Sequence, residues 1–178
     1  MAATSIDRYC YITCRRFQPF FPNTFRIVWS HIEPVSTIGE ILHPAVREGL
    51  RKMGFNDGTG VEIHHQGDLP ARSGMGSSSA FANGLILALA ALRDRQISQH
   101  ELFREAIHLE QNWIKDNVGS QDQVATAVGG LNVIHFDKGG DIRVEPLAMD
   151  PARKAALKER LMLFYSGGSR TASTIADT

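Results

Sequence analysis

Cysteine is scarce in this sequence: Cys10 and Cys14 are the only two in 178 residues. On a shared strand they would lie on one face but too far apart to bond to each other. Neither has a His or Cys partner at metal-binding spacing, so both are expected as free thiols in a reducing cytoplasm. Neither sign of charge is in excess. Nineteen Lys and Arg balance nineteen Asp and Glu, with no sizeable basic cluster. That balance argues against nucleic acid or an anionic membrane as the main partner. No apolar run reaches the length of a membrane span, and MAATSIDRYC lacks the charged-then-apolar order of a signal peptide. The seven histidines are scattered without an HExxH pair, and repeats and low-complexity tracts are absent. What is present, 43% hydrophobic and 21% charged residues, describes an ordinary globular chain. Its length suits one domain that buries roughly 70% of the unfolded surface.

One stretch organises the rest. Val61 to His65 reads as a strand, followed by the loop Arg72-Ser73-Gly74-Met75-Gly76-Ser77-Ser78-Ser79 and then an apolar helix. Gly74 and Gly76 allow the backbone to curl and let an anion approach the amides. A helix starting near Ser77 aims its unpaired N–H groups and positive dipole end at the same point. Strand, small-residue loop and helix terminus together form a plausible phosphate cradle. No Lys follows the second glycine, which excludes a Walker loop. Ser79 stands where a Rossmann third glycine belongs. An ordinary turn with a serine N-cap is the alternative.

Residues 4–14 read as a strand, broken by the two prolines between Phe17 and Asn23. Phe25 to Trp29 reads as a second strand, antiparallel to the first. Ile38 to Met53 reads as a helix burying Ile41, Val46, Leu50 and Met53 and stopping at Gly54. After the loop, Phe81, Leu85, Ile86, Leu89 and Leu92 mark a buried central helix. Ser98-Gln99-His100-Glu101 is a capping box that starts another helix, running through Ile114. A short helix ending at Gly129-Gly130 follows. Leu131 to Phe136 and Ile142 to Pro146 form a hairpin, Pro151 to Arg160 a surface helix, and Leu161 to Tyr165 a buried strand.

Two carboxylates stand out. Glu110 falls on the apolar face of its helix, among Ala106, Ile107 and Trp113. Buried there, it needs a cation, a hydrogen-bond partner or a metal. At the edge of the stripe, it would reach solvent or pair with Arg104 or Lys115. Asp122 sits near the start of the short helix, where it is either a cap or a functional carboxylate.

The string from Pro70 through Gly74-Met75-Gly76-Ser77-Ser78-Ser79-Ala80 resembles the ATP-phosphate loop of the GHMP small-molecule kinases. His108-Leu109-Glu110-Gln111 followed by Val118-Gly119-Ser120-Gln121-Asp122-Gln123 is similar to that family's metal-and-base segment. Phe25 to Leu50, and Leu161 to Ala172, resemble the sugar-kinase branch that includes the heptose 7-phosphate kinases. The resemblance implies an α+β fold of the ribosomal-protein-S5-like type, a mixed sheet with helices packed on one face. It implies that the loop, with Arg72 and Ser73 at its entry, wraps the phosphates of ATP. It also implies that Ser78 and Glu110 hold Mg²⁺, that Asp122 faces the acceptor hydroxyl, and that Arg170 touches a substrate phosphate. The activity implied is transfer from ATP to a sugar or sugar-phosphate hydroxyl, foremost the anomeric hydroxyl of a heptose 7-phosphate. The alternatives are a non-catalytic nucleotide-binding fragment or a kinase of another small alcohol. Family members carry a first strand with a Gly-Gly-Gly-Thr-Asp segment and a second domain, neither matched here. Residues 1–178 are therefore expected to be an N-terminal ATP-binding domain trimmed at both ends. The sheet edge this exposes predicts swapping, dimerisation or poor solubility.

Overall fold

A four-stranded mixed sheet carries the helices on one face. The computed structural model describes residues 1–71 and 73–164. Strand order is β2 (Cys10–Arg16), β5 (Val61–Gly67), β3 (Phe25–Val28), β4 (Ile32–Val35). β2 runs antiparallel to β5 with Cys14 opposite Ile63, β3 runs parallel to β5 with Ile27 opposite Ile63, and β3 pairs antiparallel with β4. A parallel pair needs a long crossover. Here it passes through β4, a 3₁₀ turn at Ile38–Glu40 and α1 (Pro44–Lys52).

A separate three-stranded antiparallel sheet places β6 (Leu131–Phe136) between β1 (Ala2–Thr4) and β7 (Ile142–Pro146). α2 (Ser77–Ala91) crosses the inner face of the larger sheet, flanked by α1 and α3 (Gln99–Ile107). α4 (Gln121–Val128) bridges to the smaller sheet through Val124, which packs with Phe103 and Ile134. α5 (Pro151–Glu159) is exposed throughout, capped by Asp150, whose carboxylate accepts the amides of Ala152 and Arg153.

The alternation of β-strands sends Phe25, Ile27, Val61 and Ile63 into one core with Val46, Leu50, Leu85, Ile86 and Leu89. α2 is apolar nearly all round, as suits a helix packed between sheet and helices. Gly84 allows that packing: a Cβ there would lie 2.9 Å from Ile12 Cγ1. The opposite sheet face is polar, with the buried Glu62 carboxylate paired to Arg15, Arg26 and His64.

The structure corrects several expectations. Residues 4–14 form two strands in different sheets, separated by an irregular segment. β3 is antiparallel to β2 in direction, but β5 lies between them. The expected helix at 38–53 is a 3₁₀ turn and a shorter α-helix, because Pro44 disfavours helical geometry at His43. β4 was hidden by Pro34, which an edge strand tolerates. Leu161 to Phe164 is not a buried strand: these four residues are irregular and 62–79% exposed. An apolar β-prone run needs a sheet edge to join, and no described strand pairs with it. Tyr165, Arg72 and Arg170 lie outside the described residues. Cys10 and Cys14 share a face of β2 and are unbonded, as expected. No helix among the described residues is long and apolar enough to cross a membrane.

Candidate functional site

The loop between β5 and α2 is held at its start by Asp68, whose carboxylate accepts the Tyr9 amide at 2.9 Å. At its end the chain curls twice through left-handed conformations, φ +71° at Gly74 and +70° at Gly76, which side-chain-bearing residues resist. Gly76 itself is the N-cap of α2, so the helix has no serine cap, and its first-turn amides meet no side-chain acceptor among the described residues. Ser77, Ser78 and Ser79 are instead the first helical residues, which decides against the ordinary serine-capped turn. Ser73 Oγ is buried without a hydrogen-bond partner among the described residues.

Behind this terminus lies Glu110, only 3% exposed. Ser78 Oγ donates to its Oε1, Ser79 Oγ donates to its Oε2 at 3.0 Å, and Gln123 Nε2 also donates to Oε2. Neither solvent nor Arg104 or Lys115 satisfies it; Arg104 pairs with Asp141 at 3.7 Å. No cation within ion-pair distance of Glu110 is found among the described residues. Glu110 reaches this position through a change of helix type. After Ile107 the α-helix widens into a π-helical stretch, His108–Trp113, closed by the Ile114 N–H bond to Leu109 O. The sequence had suggested an uninterrupted α-helix here.

Asp122 is the second residue of α4, after the N-cap Ser120, so it is not the cap. Its carboxylate is exposed and complements the helix dipole. It faces the loop across a short gap: a Cβ built on Gly76 would be 3.6 Å from Asp122 Oδ2. Gly74, Met75, Gly76, Ser77 and Asp122 line one open groove of about 560 Å³. Arg8, Tyr9, Cys10 and His65 also line it. Burial pushes the Cys10 thiol up to about 11, so it is protonated at neutral pH and no nucleophile. Burial lowers His65 below the ordinary imidazole range.

The structure thus brings Ser78, Ser79 and Glu110 into contact and sets Asp122 against Gly76. Sequence reasoning missed the amides that frame them. Asn83, on α2, donates to Gln123 O and Thr126 Oγ1, both at 2.8 Å, tying α2 to α4. Gln111 donates to Val118 O at 2.9 Å and Ser120 Oγ at 3.1 Å, fixing the turn before Asp122. The available signal was a polar amide within an apolar segment, as with Asn83 between Ala82 and Gly84. No cluster of three or more His, Cys, Asp or Glu with metal-ligand potential occurs among the described residues.

The family model described as the GHMP kinases N-terminal domain matches residues 40–130. The D-glycero-α-D-manno-heptose 7-phosphate kinase of Campylobacter jejuni is 29% identical over 115 residues, 65% of this chain and 34% of that protein. A crystal structure of a D-glycero-D-manno-heptose 1-phosphate kinase from Bacteroides thetaiotaomicron superposes with a TM-score of 0.71. It shares 22% identity over 84% of this chain and 51% of that one. Lactococcus lactis galactokinase, complexed with galactose, gives a TM-score of 0.62 at 19% identity over 84% of this chain and 42% of its own. The chain spans a third to a half of the length of these relatives.

Proposed function

We propose that this chain, which belongs to the GHMP kinase family, is the nucleotide-binding part of an ATP- and Mg²⁺-dependent kinase acting on a sugar or sugar-phosphate hydroxyl. A heptose 7-phosphate, phosphorylated at its anomeric hydroxyl, is the leading acceptor. One observation carries the reading: the exposed Asp122 carboxylate lies against Gly76 of the loop, while Glu110 and its serines sit behind the same helix terminus. The heptose acceptor is supported by two relatives named for heptose phosphates.

Phosphoryl transfer asks mainly for positioning and charge neutralisation. The amides at the start of α2, with Ser73 and the freedom of Gly74 and Gly76, would hold phosphate oxygens. The residues fit a magnesium ion. A buried carboxylate without a counter-cation among the described residues, hydrogen-bonded to two hydroxyls, is a donor set of hard oxygens. One carboxylate and one serine are few ligands, which suits an ion completed by water and substrate phosphates. Bound there by Ser78 and Glu110, Mg²⁺ would neutralise charge on the phosphates. Asp122 would orient the acceptor hydroxyl and take its proton. Arg72 and Arg170 are assigned, in the same proposal, to phosphate groups of nucleotide and acceptor.

The test is ADP release from Mg-ATP by the purified chain, with heptose 7-phosphate, mannose, fucose and galactose as acceptors. Asp122→Asn should lower acceptor-dependent turnover by roughly 10²–10⁴-fold, the range of a general base, with nucleotide affinity nearly intact. Unchanged turnover would remove Asp122 from the mechanism. The second reading is a non-catalytic nucleotide-binding unit. ATP binding without ADP release to any acceptor would support that one.

A further inference from the structure

A carboxylate offers about four acceptor sites, two on each oxygen. On Glu110 they are unequally used. Oε2 accepts both Ser79 Oγ and Gln123 Nε2, which fills it, while Oε1 accepts only Ser78 Oγ among the described residues. Neither donor to Oε2 can turn to water, because Ser79 is 5% and Gln123 1% exposed. Gln123 is anchored as well through its own backbone carbonyl, which takes the Asn83 amide at 2.8 Å. The carboxylate is therefore held with one oxygen engaged and the other turned to the helix terminus beside Ser78.

We infer that Gln123 is a positioning residue: it holds Glu110 so that a single oxygen, Oε1, meets a divalent cation, and so favours Mg²⁺ over Ca²⁺. The inference rests on the reading of Ser78 and Glu110 as cation ligands. Its physical basis is the difference between the ions. Mg²⁺ requires near-octahedral ligands at about 2.0–2.1 Å and takes few protein oxygens, whereas Ca²⁺ accepts both oxygens of one carboxylate at about 2.3–2.6 Å. Releasing Oε2 makes the second arrangement available. Gln123 also follows Asp122 directly, so the same turn of α4 sets the cation ligand and the carboxylate across the groove.

The experiment is calorimetric titration of ADP into the full chain, with no metal, with Mg²⁺ and with Ca²⁺. In the wild-type chain Mg²⁺ should strengthen ADP binding more than Ca²⁺ does. Gln123→Met keeps side-chain length and removes the donor. It should leave metal-free ADP affinity unchanged and lower the Mg²⁺-to-Ca²⁺ preference about tenfold. Gln123→Leu should do the same and serves if the methionine variant misfolds. A preserved ratio in a folded variant, or equal weakening of both ions, would overturn the role of Gln123 while leaving the cation site standing. Wild-type ADP binding that ignores metal altogether would overturn the site reading, and the inference with it. Wild-type binding supported equally by both ions would overturn the inference alone.

Discussion

Lowering the pH from 7.5 to 4.5 pushes a proton toward His43 against its surroundings. Its ring stacks on Phe81 at 4.8 Å and meets the edge of Trp29 at 4.9 Å. Nδ1 is buried without a hydrogen-bond partner among the described residues. Burial lowers the imidazole from its ordinary 6.5 to about 4; the Glu33 carboxylate opposes that shift and His65 adds to it. Between those values the unfolded chain binds the proton and the folded chain does not, so stability rises with pH. The contribution is fully present above pH 6.5 and is lost as the pH falls toward 4. Linkage puts the loss at about 1 kcal/mol at pH 5.5 and roughly 2–3 kcal/mol at pH 4.5, for a shift from 6.5 to about 4.

Other groups titrate over the same range, so the comparison must isolate His43. His43→Phe keeps an aromatic ring against Phe81 and Trp29, and no cap is lost, since His43 makes no side-chain cap bond to α1. Urea midpoints at pH 7.5, 5.5 and 4.5 should show the two proteins within about 1 kcal/mol at the highest pH, as for a volume-conserving swap. The variant should then gain steadily on the wild type as the pH drops. Parallel losses in both proteins would mean that the ring is hydrated or partnered in solution, and the argument from burial would fail.

Two further outcomes follow from local geometry. Gly76→Ala forces a Cβ into φ +70°, costing on the order of 1–2 kcal/mol in thermal unfolding, and puts a methyl 3.6 Å from Asp122. Nucleotide affinity measured by calorimetry should fall at least about tenfold if the amides of this turn hold phosphate; retained affinity would remove the turn from the binding site. Burial pushes the Glu62 carboxyl up, but the hydrogen bond from Arg15, then that from His64, and both their charges more than reverse it, leaving it below its ordinary 4.5. Its stabilisation is present above pH 4.5 and lost as the pH falls through the lower folded value, so Glu62→Gln should show a shallower acid loss than wild type in circular-dichroism melts below pH 4.5.

Much of the fold is local chemistry and was legible in the sequence. The Ser98 capping box forms as read, with Ser98 Oγ accepting the Glu101 amide. The turn Asp137-Lys138-Gly139-Gly140 closes the β6–β7 hairpin, with the Gly140 amide bonded to Asp137 O. The apolar spacing of α2 yields a helix whose Leu85, Ile86 and Leu89 are fully buried. What failed was non-local. Strand adjacency depends on which edges meet, so β5 could insert between β2 and β3 without any trace in either strand's composition. The π-helical stretch after Ile107 is set by what packs around it, and its residues have ordinary helical preferences.

The site divides along the same line. The conformational demands of Gly74 and Gly76, and the cost of placing Glu110 on an apolar face, are properties of single residues, so they could be seen in the chain itself. Gln123 is different, because nothing in its own neighbourhood calls for a buried amide. Its role exists only once α4 packs across α2 and the π-helical stretch delivers Glu110 to it. The buried carboxylate needed a partner, and the sequence left open whether that was solvent, a nearby cation, a hydrogen bond or a metal. The hydrogen bonds to Ser78, Ser79 and Gln123 satisfy its geometry but add no opposite charge. On the reading proposed above, a carboxylate held this way, next to the amide-rich start of α2, would take a cation that arrives with its own anionic ligands.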